Sequence, residues 1–167
     1  AMFQPYIGEE NNRGILNMDG EELFEHGRKA AQVGLGMTVH AIGDRANQEV
    51  LDLFEASFRA NPDRRTLRWR IEHAQHMRME DLKRFGSMKV VASMQPFHVI
   101  DDGRWAWKRL DEKRLKGTYA FRTILDTGGV LAFGSDSPVA PIDPLLGVYA
   151  AATRRTLDDK NPNGWVP

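Results

Sequence analysis

Trp69-Arg70-Ile71-Glu72-His73-Ala74-Gln75 is the stretch on which the fold of this chain turns. It predicts a short buried strand that ends by presenting a histidine. Met37-Thr38-Val39-His40 ends in the same way, and Val130-Leu131-Ala132-Phe133-Gly134-Ser135-Asp136 ends in a carboxylate. His40 and His73 are 33 residues apart, and Asp136 follows His73 by 63 residues with one further strand between. A (β/α)8 barrel devotes about 250 residues to eight units, roughly 31 to each. Two imidazoles and one carboxylate therefore fall at strand ends in register with a barrel repeat, on the face where barrel enzymes keep their active sites.

Working outward, Asp19 caps a predicted helix over 20–33, and Gly34 and Gly36 end it ahead of a strand at 37–40. Asp44 takes the N-cap position of a helix over 45–59, broken by Asn61-Pro62-Asp63. A strand at 67–73 leads to a helix over 79–85 with Gly86 as its C-cap, then to a strand at 88–94. Residues 101–107 are expected to be loop and 111–116 a helical turn. A helix over 119–127 precedes the strand at 130–134, and a rigid loop with Pro138, Pro141 and Pro144 precedes a last helix over 145–155. Strands alternating with helices imply parallel pairing and right-handed crossovers. An open doubly wound sheet shares this order, but its phosphate-binding fingerprint is missing: Gly34-Leu35-Gly36 precedes a strand, and no third glycine follows at the required offset. The expected domains are a polar N-terminal arm over 1–19, half of a barrel over 20–156 and a polar tail over 157–167.

The formal net charge is zero, which offers no attraction to nucleic acid or to an anionic membrane. Arg64-Arg65 and Arg154-Arg155 are short basic pairs, read as solvated surface. There are no cysteines, which excludes disulfides, thiolate metal sites and cysteine nucleophiles. No apolar run reaches the length of a membrane span, and no apolar leader stands at the start, so the expected compartment is the cytoplasm.

Each candidate residue has a plain alternative. His40 either exposes a ring nitrogen to a site or is hydrogen-bonded at the rim of the core. If His73 points into a barrel, strand alternation sends Glu72 toward the helices, with Arg70 or Arg68 as its partner. His76 either lines the cleft or is exposed. Asp136 sits among Gly134, Ser135 and Ser137, which leave room for a metal, a water or a substrate, or else it opens a turn before Pro138. Ser135 and Ser137 lack the surroundings of a nucleophile. Gln95, His98, Asp102 and Trp105 follow the third strand and either shape a substrate pocket or form a solvated loop. Jointly, two His and one Asp at matched strand ends fit a zinc or similar divalent site.

The runs His40-Ala41-Ile42-Gly43-Asp44-Arg45-Ala46-Asn47, Arg70-Ile71-Glu72-His73-Ala74-Gln75, Ala92-Ser93-Met94-Gln95-Pro96-Phe97-His98 and Phe133-Gly134-Ser135-Asp136-Ser137-Pro138-Val139 resemble the amidohydrolase superfamily. The branch they are most similar to is amidohydrolase family 3, the proteins like N-substituted formamide deformylases. The resemblance implies an α/β fold: part of a metal-dependent (β/α)8 TIM barrel, about strands 5–8 with their helices. His40 and His73 correspond to the metal-ligand histidines after strands 5 and 6. Asp136 corresponds to the aspartate after strand 8, which contacts metal and handles the proton of the hydrolytic water. The implied cofactor is a divalent metal, zinc foremost, as one or two ions.

The sequence departs from the family pattern at two points. No two histidines are separated by one residue, so the first-strand His-x-His pair is absent. Lys29, the only lysine before His40, lies in a predicted helix, so the carboxylated lysine of binuclear members has no candidate. The expectation is a fragment of a hydrolase acting on amide or formamide-like C–N bonds of small molecules through a metal-activated water, inactive when isolated. An interaction module without catalysis is the second expectation, and a phosphoesterase the third. A half-barrel leaves sheet edges and an apolar face open, which predicts a homo-oligomer.

Overall fold

The computed structural model describes residues 1–165, the side chains of Arg64 and Arg65 apart. The reading of Arg64-Arg65 as solvated surface and the last two residues of the tail, Val166 and Pro167, lie outside the described residues. Four strands, β1 (Thr38–Ala41), β2 (Arg70–His73), β3 (Val91–Met94) and β4 (Val130–Phe133), form one sheet in the order β1-β2-β3-β4. All three pairings are parallel. The helices are α1 (Gly20–Val33), α2 (Asp44–Ala60), α3 (Met79–Met88), α4 (Phe97–Asp102), α5 (Glu112–Leu115), α6 (Phe121–Asp126) and α7 (Pro144–Thr153). Among the described residues no helix is long and apolar enough to cross a membrane.

Sequential order without reversal separates this sheet from a doubly wound one. Burial agrees. Ala41, Ile71, Ala92 and Met94 are buried on one face, whereas Thr38, His40, Arg70, Val130 and Ala132 on the other are exposed. One covered and one open face is the arrangement of part of a TIM-type barrel, as expected. The covered face packs on α2, α3 and α6 through a single apolar cluster. Trp69, just before β2, stands at its centre: its ring lies 5.0 Å from Phe54 and 5.1 Å from Phe58, both on α2. Arg84 of α3 ties the two outer helices together, reaching Asp52 at 2.7 Å and Glu55 at 2.9 Å.

Several local expectations are corrected. The N-cap of α2 is Gly43, and Asp44 is the first helical residue. Asp44 Oδ1 accepts instead from the amides of Phe3 (2.9 Å) and Arg45 (2.8 Å), which fastens the N-terminal arm to the start of α2. Gly86 does not cap α3; the helix runs on to Met88 and Lys89 turns left-handed at φ 58°. The glycine serves close packing, since a Cβ there would stand 1.8 Å from the carbonyl oxygen of Thr127. Residues 97–102, the last two of which were expected to be loop, form α4, because Pro96 at φ −61° sets the chain for helix immediately after β3.

Glu72 lies on the open face, not toward the helices: it is in register with exposed His40 and forms an ion pair with Arg70 on the same face. Arg154 is not solvated surface. It closes α7 at φ 60° and turns inward. Its guanidinium donates to the carbonyls of Tyr119 (2.7 Å) and Thr118 (3.2 Å) and lies 5.0 Å from the Phe121 ring centre. Burial lowers its pKa to about 10. The segment after it folds back, with Trp165 Nε1 donating to Val99 O at 2.7 Å.

Trp69 Nε1 is buried without a hydrogen-bond partner among the described residues. Trp69→Ala is expected to cost about 3–5 kcal/mol in urea unfolding, through the cavity it leaves. Trp69→Phe should cost about 1 kcal/mol or less, because removing the unpaired N–H offsets part of the lost packing. Equal losses for the two variants would place Trp69 outside the packing centre.

Candidate metal centre and the adjoining cleft

The three strand ends and the start of α4 meet at the carboxyl edge of the sheet. His73 is the last residue of β2 and has φ 75°; Ala74 follows at φ 45°. Two left-handed residues in succession turn the chain sharply, at a conformational cost that side-chain-bearing residues seldom bear. The turned His73 ring lies edge-on to His40, with centroids 4.5 Å apart, and nearly parallel to His98, with centroids 6.0 Å apart. Asp136, also left-handed at φ 59°, lies three residues past β4. Its Oδ2 is 3.9 Å from His98 Nε2.

Among the described residues one group has the composition and spacing of a metal site. His73, His98 and Asp136 each offer a ligand atom, all within 4.8 Å of one another. Among the described residues, His73 Nδ1 and His98 Nε2 are buried without a hydrogen-bond partner. Buried polar atoms are ordinarily paired, so two imidazoles that each carry an unpaired buried nitrogen and stand together beside a carboxylate fit a divalent cation. The N,N,O donor set suits zinc and its neighbours. Burial lowers the pKa of His73, reinforced by the neighbouring His40, and burial lowers that of His98. Both imidazoles are thereby favoured in the neutral form a metal needs.

The membership of this group differs from the sequence grouping. His40, expected as a ligand, is outside it: β1 register sets it opposite Glu72 on the open sheet face, one residue before the strand ends. His98, expected as a substrate contact, is inside it, because α4 starts directly after β3 and carries His98 back over the end of β4. The available signal was the run Gln95-Pro96-Phe97-His98, where a proline at the helix N-cap puts His98, two positions on, in the first turn beside the strand end. Gln95 is buried beside His73, and its Nε2 donates to Ser93 O at 3.3 Å.

A cleft of about 530 Å³ adjoins the group and has His98 in its wall. Asp102 and Trp105 also line it; Gln95 does not. Behind it lies a polar network that spacing did not reveal. Asp102 Oδ2 accepts from Gln75 Nε2 and from the Tyr119 hydroxyl at 2.6 Å. His76 lines the cleft, as one of its two readings had it, and does so from a buried position, with Nδ1 3.0 Å from Thr118 Oγ1. Asn47, wholly buried, donates to the carbonyls of Ile42 (3.1 Å) and Gly43 (2.9 Å) and so holds the loop after β1.

The amidohydrolase family model matches residues 1–166, and the chain belongs to that family. It is similar to Protein LONG AFTER FAR-RED 3 of Arabidopsis thaliana, 41% identical over 166 residues, which are 99% of this chain and 28% of that protein. The putative amidohydrolase YtcJ of Bacillus subtilis (strain 168) is 34% identical over 95% of this chain and 29% of its own length. The N-substituted formamide deformylase of Arthrobacter pascens is 27% identical over 94% of this chain and 29% of its own length. The crystal structure of an uncharacterized metal-dependent hydrolase from Pyrococcus horikoshii OT3 superimposes with a TM-score of 0.80 and 37% identity, covering 92% of this chain and 30% of that one. The chain thus spans less than a third of the length of each of these relatives.

The network behind the cleft yields a pH signature. Burial lowers His76 to about 4 and raises Asp102 to about 6. The His76 contribution is fully present above its unfolded value, about 6.5, and is lost as pH falls toward 4. The Asp102 contribution has the opposite sign: burying its ionised form costs stability above pH 6, and protonation relieves that cost as pH falls toward its unfolded value, about 3.9. The two oppose each other between pH 4 and 6. Asp102→Asn is expected to steepen the loss of stability on acidification, read as urea midpoints from pH 7 to pH 4.5. Parallel midpoint curves for the variant and the original protein would contradict the assignment.

Proposed function

We propose that this chain carries the metal-ligating part of a hydrolase that cleaves amide or formamide-like C–N bonds of small molecules. The observation that carries the reading is that His73, His98 and Asp136 each bring a ligand atom within 4.8 Å of the others. His73, His98 and Asp136 would hold a divalent ion, zinc foremost, with His40 beside them. Such an ion polarises a carbonyl and acidifies water. The chain's own residues do the rest. The exposed carboxylate of Asp136 accepts the proton released by attacking water and returns it to the leaving nitrogen. His73 and His98, held neutral by burial, supply lone pairs without adding positive charge. Asp102 and Trp105 line the cleft where the substrate body would lie, and Gln95 supports His73 from behind.

The cations of the sheet argue against a phosphoester substrate. Arg68, Arg70 and Lys89 lie at or just before the amino-terminal ends of the strands, at the opposite edge from the His–Asp group. Turnover by this chain alone is expected to be slow or absent, because the sequence has no His-x-His pair. The test is cobalt(II) titration, read by visible absorption, with zinc competition. His73→Ala and His98→Ala should each weaken binding at least tenfold, and His40→Ala less. Absence of divalent-ion binding, or binding indifferent to both of the first two variants, would end this reading.

A non-catalytic role is favoured by one specific observation. β1 and β4 are free edges of a parallel sheet, and Phe133, Val139, Ile142, Leu145 and Val148 are all exposed near β4. Unpaired edges and contiguous apolar surface favour association, and we propose a homo-oligomer. Light scattering should show a dimer or larger species that Phe133→Glu with Val148→Glu dissociates. A monomer over a wide concentration range would refute it.

A further inference from the structure

The cleft beside the metal centre has a charge arrangement that selects its occupant. Of its charged side chains, Arg109 is ion-paired with Glu9 of the N-terminal arm, and Asp101 with Arg104. Asp102 is the exception. It is 7% exposed, and both groups that donate to it, the Gln75 amide and the Tyr119 hydroxyl, are neutral and bind the same oxygen, Oδ2. Oδ1 accepts no hydrogen bond among the described residues. A buried carboxylate served only by neutral donors lacks the countercharge that normally accompanies it. The rest of the wall combines the polar Tyr6, Asn12 and His76 with an apolar part formed by Ile42, Leu110, Val139 and Trp105, which is 45% exposed.

We propose that the cleft binds the amine side of the substrate. An ammonium or amide N–H donates to Asp102 Oδ1, and an apolar body lies against Trp105, Leu110, Ile42 and Val139. The ligand class is the alkyl- or arylalkylamine and its N-acyl derivatives. His98 belongs both to this wall and to the His–Asp group, so a nitrogen held at the Asp102 end has its carbonyl side free to reach that group. This orientation rests on the hydrolytic reading above; the preference for an amine does not.

Equilibrium binding by calorimetry on the whole chain, not turnover, is the test. The probes are 4-phenylbutylamine and 4-phenylbutyrate, which share a ring and chain and differ in charge. The amine is expected to bind at least tenfold more tightly. Asp102→Asn should erase that difference, and Trp105→Ala, at a half-exposed position, should weaken the amine several-fold. Equal or tighter binding of the carboxylate, an Asp102→Asn protein that keeps the preference, or a Trp105→Ala protein with unchanged amine affinity would each overturn the proposal. The same titrations on His73→Ala separate the two readings. A preserved amine preference there supports the cleft whatever the variant does to cobalt binding, and failure of cobalt binding in the unaltered chain removes the hydrolytic reading alone.

Discussion

Strand β2 is hydrogen-bonded to a parallel neighbour on each side and covered on only one face. That constraint shapes the rest of the molecule. Covering one face requires Trp69 and Ile71 to pack on the helices, and Trp69 does so through ring contacts with Phe54 and Phe58. It leaves the other face to Thr38, His40, Arg70 and Glu72, a polar row that no single layer of helices could shelter. Parallel pairing also places all four carboxyl ends at one edge. The loops that follow them, and α4 after β3, are forced to share a small space, and the chemistry collects there.

The metal centre depends on leaving strand geometry at the right residue. Within a strand, His73 would alternate with Glu72 and face the helices. The left-handed turn at His73 and Ala74 breaks the alternation, so Glu72 keeps to the open face while the His73 ring lies between His40 and His98. Backbone strain at three of the turning points of this edge, His73, Ala74 and Asp136, is consistent with conformations maintained for a site and not for packing. The two unpaired ring nitrogens point the same way, since their desolvation is otherwise uncompensated.

Behind that edge, Asp102, Gln75, Tyr119, His76 and Thr118 form a layer of buried polar groups that ties α4 to the segment before α6. Burial pushes Tyr119 well above the ordinary tyrosine range, and the adjacent Asp102 adds to the effect. The N-terminal arm leans on the same layer from outside: Ile7 N donates to Arg109 O at 3.0 Å, and Arg114 Nη1 donates to Pro5 O at 2.9 Å. The cleft wall is therefore built from segments more than a hundred residues apart in the chain.

Much of this was legible from the residues alone. Periodicity and punctuation located α1 and all four strands, because Gly, Pro and apolar runs act locally. The 33- and 63-residue intervals placed His40, His73 and Asp136 at strand ends, because a repeating unit converts sequence distance into position along a sheet. Tertiary structure alone decided which of these side chains converge. Bringing His98 into the group in place of His40 depended on a helix that starts at Phe97, right after the Pro96 cap, and on a one-residue difference in where His40 and His73 stand relative to the ends of β1 and β2. Drawing Arg154 and His76 into the interior depended on left-handed turns and on partners, Tyr119 and Thr118, that are remote in sequence. Spacing states where a residue lies along its strand; only the folded backbone sets which way its side chain points and whose unpaired atom it meets.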